Sequence, residues 1–141
     1  MRVFISGSKE LSTISIEAIN YIRMLCDQQC DFFIGDCYGV DSLVQFLLQE
    51  IGYKNVYIYT TRTKARINLG GWKEVYIKNS KQGTPVHYEK EMAMIYKCDF
   101  GLVIWNGKSR GTGNNIIGLK TANKNVCVFY ENNPMSITRI Q

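Results

Sequence analysis

The chain has 141 residues, of which 45% are hydrophobic and 21% are charged, and its formal net charge is +5. This length predicts a single domain over residues 1–141, and the composition excludes a disordered chain. No apolar run approaches the roughly 18 residues of a membrane span, and the apolar start at residues 1–5 is too short for a signal sequence, so we expect a cytoplasmic protein without a membrane partner.

Short apolar strands alternate with amphipathic helices along the chain. In order, the pattern predicts a strand at 3–5, a helix from 14, a strand at 32–34, a helix at 40–51 closed by Gly52, and a strand at 56–59. An irregular segment at 60–85 follows, then a helix at about 86–97, a strand at 100–105, a helix at about 114–122 and a strand at 126–130. This order predicts right-handed crossovers and a Rossmann-like, three-layer α/β sandwich whose five strands are mainly parallel.

Ligands of open parallel sheets bind beyond the carboxyl ends of the strands. Four segments lie there, at 6–9, 35–41, 60–72 and 106–115, and three of them are rich in glycine and small polar residues. Helix N-termini attract anions, and glycine lets the backbone approach a phosphate closely. The residues predicted to contact such a ligand are Ser6, Gly7, Ser8, Gly35, Asp36, Gly39, Val40, Asp41, Arg62, Arg66, Asn68, Trp72, Asn106, Gly107, Lys108, Ser109, Gly111, Thr112, Asn114 and Asn115.

Some of these residues also have structural interpretations. Ordinary tight turns explain each glycine-rich loop taken alone, and a role as helix N-cap is favoured for Asp41. Trp72 is predicted equally as a base-stacking surface and as a cover of the core. The basic residues are dispersed, which suits a phosphate-bearing small ligand at least as well as a nucleic-acid groove.

The five cysteines are odd in number and lack the paired spacing of zinc sites, so we expect reduced thiols and no metal. Cys37 is notable because it lies within the predicted loop 35–41. No segment indicates a cofactor. Homo-oligomers are expected through the helices that flank the sheet, where Tyr21, Met24 and Met94 are candidates for that surface or for the core.

The segments RVFISGS, IGDCYGVD and CDFGLVIWNGKSRGTGNNI closely resemble, in this order, standalone members of the SLOG superfamily. This Rossmann-like group includes the LOG enzymes and the DprA proteins, and the resemblance covers nearly the whole chain. It implies a nucleotide-derived ligand, handled by some members as hydrolases of N-glycosidic bonds and by others as sensors in signalling or defence. The relatives' Arg-Asn-Asn-x-Gly-x-Trp segment looks like the feature formed here by Arg66, Asn68, Gly70 or Gly71, and Trp72.

The resemblance also implies roles within the late glycine-rich loop. LOG-type enzymes carry Gly-Gly-x-Gly-Thr-x-x-Glu there, with glycines and threonine at the phosphate and the glutamate at the ribose. Gly111 and Thr112 match the Gly-Thr pair, and Asn115 stands at the glutamate position. An amide can bind a ribose hydroxyl but cannot act as nucleophile or general base.

The favoured function is therefore binding of a nucleotide-derived small molecule, a signalling nucleotide or an ADP-ribose-type ligand, to sense or sequester it without catalysis. The alternative is a LOG-type nucleotide N-glycosidase or phosphoribohydrolase that uses Asp36 or Glu91, and a DprA-like nucleic-acid binder is a third and weaker hypothesis. For Lys90 and Glu91 a salt-bridged surface pair is favoured, and His87, the single histidine, is favoured as incidental.

Overall fold

The computed structural model describes residues 1–79, 87–133 and 136–140. The strands are β1 (Arg2–Gly7), β2 (Asp31–Gly35), β3 (Val56–Thr60), β4 (Lys73–Tyr76), β5 (Phe100–Trp105), β6 (Asn125–Asn133) and β7 (Ser136–Ile140). The helices are α1 (Ile16–Asp27), α2 (Val40–Ile51), α3 (Tyr88–Lys97) and α4 (Arg110–Thr121).

All seven strands form one sheet in the order β4-β3-β2-β1-β5-β6-β7. The first six are parallel, and β7 pairs antiparallel with β6. The prediction of five strands is therefore wrong. The sequence did not indicate β4 because two of its four residues are charged and none is fully buried, which gives no apolar run.

The core lies on both faces of the sheet, as expected for a three-layer α/β arrangement. Alternate residues of β1 show this, because Val3 and Ile5 belong to the cluster packed under α1 and α2, whereas Phe4 belongs to the cluster under α3 and α4. Continuous burial along β1, β2 and β5 is typical of strands covered on both sides.

The structure answers three questions that the sequence raised, about the methionines at 24 and 94, Tyr21 and the end of α2. Met94 is fully buried, so it cannot join an interface between subunits, whereas Met24 is 41% exposed. Tyr21 packs against Phe100 and Phe129 on the opposite face of the sheet from Met94. Gly52 ends α2 in the left-handed conformation, as its position predicted.

Helix α4 begins at Arg110, four residues before the predicted start. Glycine has a low helix propensity, so the sequence placed Gly111 and Gly113 in the preceding loop. Within the described residues, no helix is both long and apolar enough to cross a membrane.

Candidate functional site

The strand order reverses at β1. Strands β2, β3 and β4 continue to one side of it, and β5 and β6 continue to the other. In open parallel sheets such a reversal leaves a crevice at the carboxyl ends of the two strands that separate there. The candidate site is this crevice between the ends of β1 and β5.

Two serines join the walls of the crevice. The Ser8 amide donates to the Ile104 carbonyl at 3.0 Å, which continues the pairing of β1 with β5. The hydroxyls of Ser8 and Ser109 are 2.7 Å apart and share a hydrogen bond. The Asn106 amide donates to the Ser8 hydroxyl at 3.1 Å, so both loops are held by one buried side chain.

Asn106 shapes the loop that leads into α4. Its side-chain oxygen accepts the amides of Lys108 at 2.8 Å and Ser109 at 2.9 Å, while Gly107 supplies a positive φ of 79°. This is an Asx turn, in which a side chain replaces a backbone acceptor. It places Ser109 as the N-cap residue of α4.

The residues predicted for phosphate and ribose lie in the first two turns of α4. Thr112 and Asn115 are buried, whereas Gly111 and Asn114 are exposed. The Asn115 side-chain amide donates to the Ser6 hydroxyl at 2.9 Å, which ties α4 to the end of β1.

Helix capping differs between α1 and the other three helices. The Ser15 hydroxyl caps α1 by accepting the Ala18 amide at 3.0 Å. The N-cap residues Gly39, His87 and Ser109 of α2, α3 and α4 make no side-chain capping bond. A helix N-terminus without a side-chain cap retains amide donors and a positive dipole end that favour an anion.

Two glycines allow the loop after β2 to pack directly on the loop after β1. A Cβ at Gly7 would lie 2.4 Å from the Val40 side chain. Gly39 has a φ of 76°, and a Cβ there would lie 2.3 Å from the Lys9 backbone. The Val40 amide donates to the Ser8 carbonyl at 3.3 Å, so all three predicted loops meet at Ser8.

Asp41 does not cap α2, and that expectation is wrong. Gly39 is the N-cap residue, and the Asp41 carboxylate accepts the Cys37 amide at 3.2 Å. Burial raises the pKa of Asp41 to about 6. The Asp41 carboxyl group also explains why residue 35 is a glycine. A Cβ at this position would lie 2.7 Å from an Asp41 oxygen and 3.2 Å from Lys90 Nζ.

Asp36 is the centre of a buried polar cluster. One carboxylate oxygen accepts the Thr60 hydroxyl at 2.8 Å and the Arg66 amide at 3.0 Å. The other lies 3.3 Å from Lys90 Nζ and 3.7 Å from the Arg66 guanidinium. Burial opposes ionisation of Asp36, but the bonds from Arg66 and Thr60 and the charge of Lys90 lower its pKa below the usual range.

Lys90 is fully buried, so the interpretation of Lys90 and Glu91 as a surface pair is wrong. Burial alone would lower the pKa of Lys90, but the groups of Cys37, Glu91, Asp41 and Asp36 raise it. Its ammonium also lies 3.8 Å from the Cys37 sulfur. A sequence signal for this burial exists, because Lys90 shares a helix face with Met94, four residues later.

Glu91 is half-buried beside Asn115. Burial raises the pKa of Glu91 to about 7, and a hydrogen bond from the Asn115 amide acts in the opposite direction. His87 precedes α3, and its buried Nδ1 has no hydrogen-bond partner among the described residues. Burial and the charges of Lys90 and Arg66 lower the pKa of His87.

The segment after β3 divides between the two ends of the sheet. Arg66 lies at the carboxyl end through its contact with Asp36, and exposed Arg62 is adjacent to Thr60. The Trp72 indole donates to the Tyr53 carbonyl at 2.9 Å and packs on the core at the amino end of β3. The Asn68 side chain bonds the Trp72 backbone, so the structure does not bring Asn68 and Trp72 to the crevice.

No protein-family model matches this chain, and no curated protein matches it significantly. Among solved structures, the chain is similar to DNA processing protein A (DprA) from Helicobacter pylori. That structure concerns how DprA binds single-stranded DNA. The TM-score is 0.64 and the identity 14%, over 91% of this chain and 64% of that one. This chain thus spans less than two thirds of that protein, and the similarity supports the expected Rossmann-like α/β fold.

Proposed function

We propose that this protein binds a nucleotide-derived small molecule in the crevice between β1 and β5, with a phosphate at the N-terminus of α4. The observation that carries the proposal is the meeting of three loops at Ser8, beside a helix whose N-cap hydroxyl bonds Ser8 rather than its own helix. Amides in the first turn of α4 and the Thr112 hydroxyl are suitable donors for phosphate oxygens.

The contacts of Asp36 favour a binding protein over an Asp36-dependent enzyme. Both Asp36 oxygens are engaged by Thr60, Arg66 and Lys90, so this carboxylate stabilises the fold and is a poor proton acceptor. Asn115, at the position of the LOG-type glutamate, supplies an amide for hydrogen bonding.

Replacement of Gly111 by glutamate tests the phosphate position. A Cβ at Gly111 meets nothing within 4 Å, so the larger residue fits. A carboxylate in the first turn of α4 stabilises the free protein through the helix dipole, but it repels a bound phosphate. We expect Gly111→Glu to bind nucleotides at least tenfold more weakly while its melting temperature stays equal or rises, as measured by calorimetric titration and thermal denaturation.

Gly111→Ala is the matched control, since it adds the Cβ without the charge and improves helix propensity. It is expected to retain binding of AMP, ADP-ribose and NAD in the same titrations. Equal affinity of the glutamate variant and the native protein contradicts a phosphate at this helix. Absence of binding by the native protein across these ligands contradicts the function as a whole.

The position and the pKa of Glu91 support a second candidate function, hydrolysis of an N-glycosidic bond. Its carboxyl group contacts Asn115, which holds the position where LOG-type enzymes carry their glutamate, and its pKa of about 7 suits proton transfer near neutral pH. As general base it would take a proton from water while the water oxygen bonds C1′ of the ribose. The C1′–N bond then breaks, the base leaves with the electron pair, and the proton that Glu91 took from water is passed to the base nitrogen, which restores the carboxylate.

Base release from nucleoside monophosphates, followed by chromatography, distinguishes this candidate from simple binding. If Glu91 is the base, activity rises with pH through about 7, because the carboxylate must be deprotonated. Glu91→Gln then lowers the rate at least 100-fold, whereas Glu89→Gln, in the same turn of α3, leaves it within about twofold. Intact nucleotide recovered from the native protein at every pH contradicts the hydrolase and leaves the binding function standing.

Nucleic-acid binding is a weaker candidate, supported by the similar fold of DprA from Helicobacter pylori and by the net charge of +5. It predicts affinity for single-stranded DNA that falls steeply with salt, since each phosphate contact releases counterions.

A further inference from the structure

A groove runs along the outer side of the first turns of α4, next to the proposed phosphate position. Its floor is the half-buried ring of Trp105 together with Ile116 and exposed Ile117, and Lys108 and Arg110 form its rim. Most of the lining is apolar. The proposed function does not use this groove.

The ring of Trp105 is fixed by three contacts. Its indole N–H donates to the Ser109 carbonyl at 2.9 Å, and its ring packs on Tyr130 with centroids 5.3 Å apart. Gly113 lets the ring lie against α4, because a Cβ there would be only 3.2 Å from a ring carbon. The groove therefore presents a rigid aromatic surface that loses little entropy when a planar group packs against it.

The charge of the groove defines the kind of partner that fits it. Lys108 and Arg110 are both exposed, and the lining contains no acidic residue within the described part of the chain. A flat apolar surface beside two cations is complementary to a nucleobase carried next to a phosphate, as in recognition of unpaired bases. Ser109 lines the groove and also bonds Ser8, so the groove adjoins the crevice.

We infer that this groove is a subsite for a second nucleoside, so that the ligand is a dinucleotide whose bridging phosphates lie at the N-terminus of α4. The inference rests on the proposed function, which supplies the phosphate position. One nucleoside extends into the crevice toward Ser6 and Asn115, and the other lies over Trp105 and Ile117.

The fluorescence of Trp105 can report whether a nucleobase occupies the groove. The chain has two tryptophans, so Trp72→Phe leaves Trp105 as the single one. In that background we expect diadenosine diphosphate or diguanosine diphosphate to bind at least tenfold more tightly than AMP or GMP, respectively. The dinucleotides are expected to quench Trp105 emission, excited where nucleobases do not absorb, whereas the mononucleotides leave it nearly unchanged.

Ile117→Ser removes the exposed side of the groove, and Ile16→Ser is its control, because Ile117 is 64% and Ile16 66% exposed, each on a helix surface. We expect Ile117→Ser to abolish quenching and to bring dinucleotide affinity within threefold of the mononucleotide, whose own affinity is unchanged. Ile16→Ser is expected to behave as the parent protein.

Three outcomes overturn the inference. If mononucleotide and dinucleotide bind equally and without quenching, the subsite is wrong and the proposed function stands. If neither binds, the proposed function fails with it. If quenching requires single-stranded DNA longer than two nucleotides, the groove follows a nucleic-acid strand and a small dinucleotide is excluded.

Discussion

Replacement of Lys90 by methionine is expected to lower the free energy of unfolding by about 3 to 5 kcal/mol, because it leaves buried carboxylates without their cation. Methionine has a similar length and no charge, so packing under α3 is largely conserved. Asp36 loses the ammonium at 3.3 Å, and Asp41 loses its main favourable charge. Urea denaturation of both proteins measures the difference directly.

Two further variants separate the loss of charge from the loss of packing. Lys97→Met, at the exposed end of the same helix, is expected to change stability by less than about 0.5 kcal/mol. The double variant Lys90→Met with Asp36→Asn is expected to recover part of the loss, since the unpaired carboxylate is gone. If the free energy of unfolding of Lys90→Met lies within about 1 kcal/mol of the native value, the ion pair between Lys90 and Asp36 is unimportant for stability.

Replacement of Gly39 by alanine is also expected to have a large effect, lowering the free energy of unfolding by about 3 kcal/mol or more. The backbone at Gly39 has φ 76° and ψ −130°, a region that glycine alone occupies readily. The added Cβ would also collide with the Lys9 backbone at 2.3 Å, which cannot move without displacing the loop after β1. The same displacement separates Val40 from Ser8, so the proposed nucleotide binding is expected to fall together with stability.

Gly52→Ala is the matched comparison for Gly39. Gly52 has nearly the same φ, 77°, but a Cβ there meets nothing within 4 Å. Gly52→Ala is therefore expected to lower the free energy of unfolding by about 1 to 2 kcal/mol, which is the cost of placing alanine in the left-handed conformation. We expect a much lower melting temperature for Gly39→Ala, because the clash with Lys9 adds to the cost of a backbone with ψ −130°. Equal melting temperatures for the two variants contradict the clash.

The sequence predicted the central part of the fold well because the central strands are buried on both faces. Residues 3–5, 32–34 and 100–105 are apolar runs typical of a parallel sheet covered on both faces, and helices of regular period separate them. The edges were less predictable. β4 lies half-exposed in a segment without periodicity, and β7 pairs antiparallel without a helical crossover.

The candidate site was predicted in part for a similar reason. Glycine and serine at the ends of β1, β2 and β5 indicated the crevice, since topology alone brings those ends together. The buried pair of Lys90 and Asp36 joins residues 54 positions apart, and no local pattern specifies it. Trp72 illustrates the reverse case, in which a motif resemblance indicated a ligand contact but the side chain bonds Tyr53 at the other end of the strands.

The position of β1 between β2 and β5 also has a consequence for how the protein folds. Ser8 and Ser109 are 101 residues apart, and Ser6 and Asn115 are 109 apart, so the crevice contains some of the most distant contacts in the chain. Contacts of such long sequence separation form slowly, because a long loop must close before they contribute. During synthesis, β1 can pair with β2 early, while its other edge waits for β5 to leave the ribosome. The contacts that join the two walls of the candidate crevice therefore form only after β5 and the start of α4 have been synthesised.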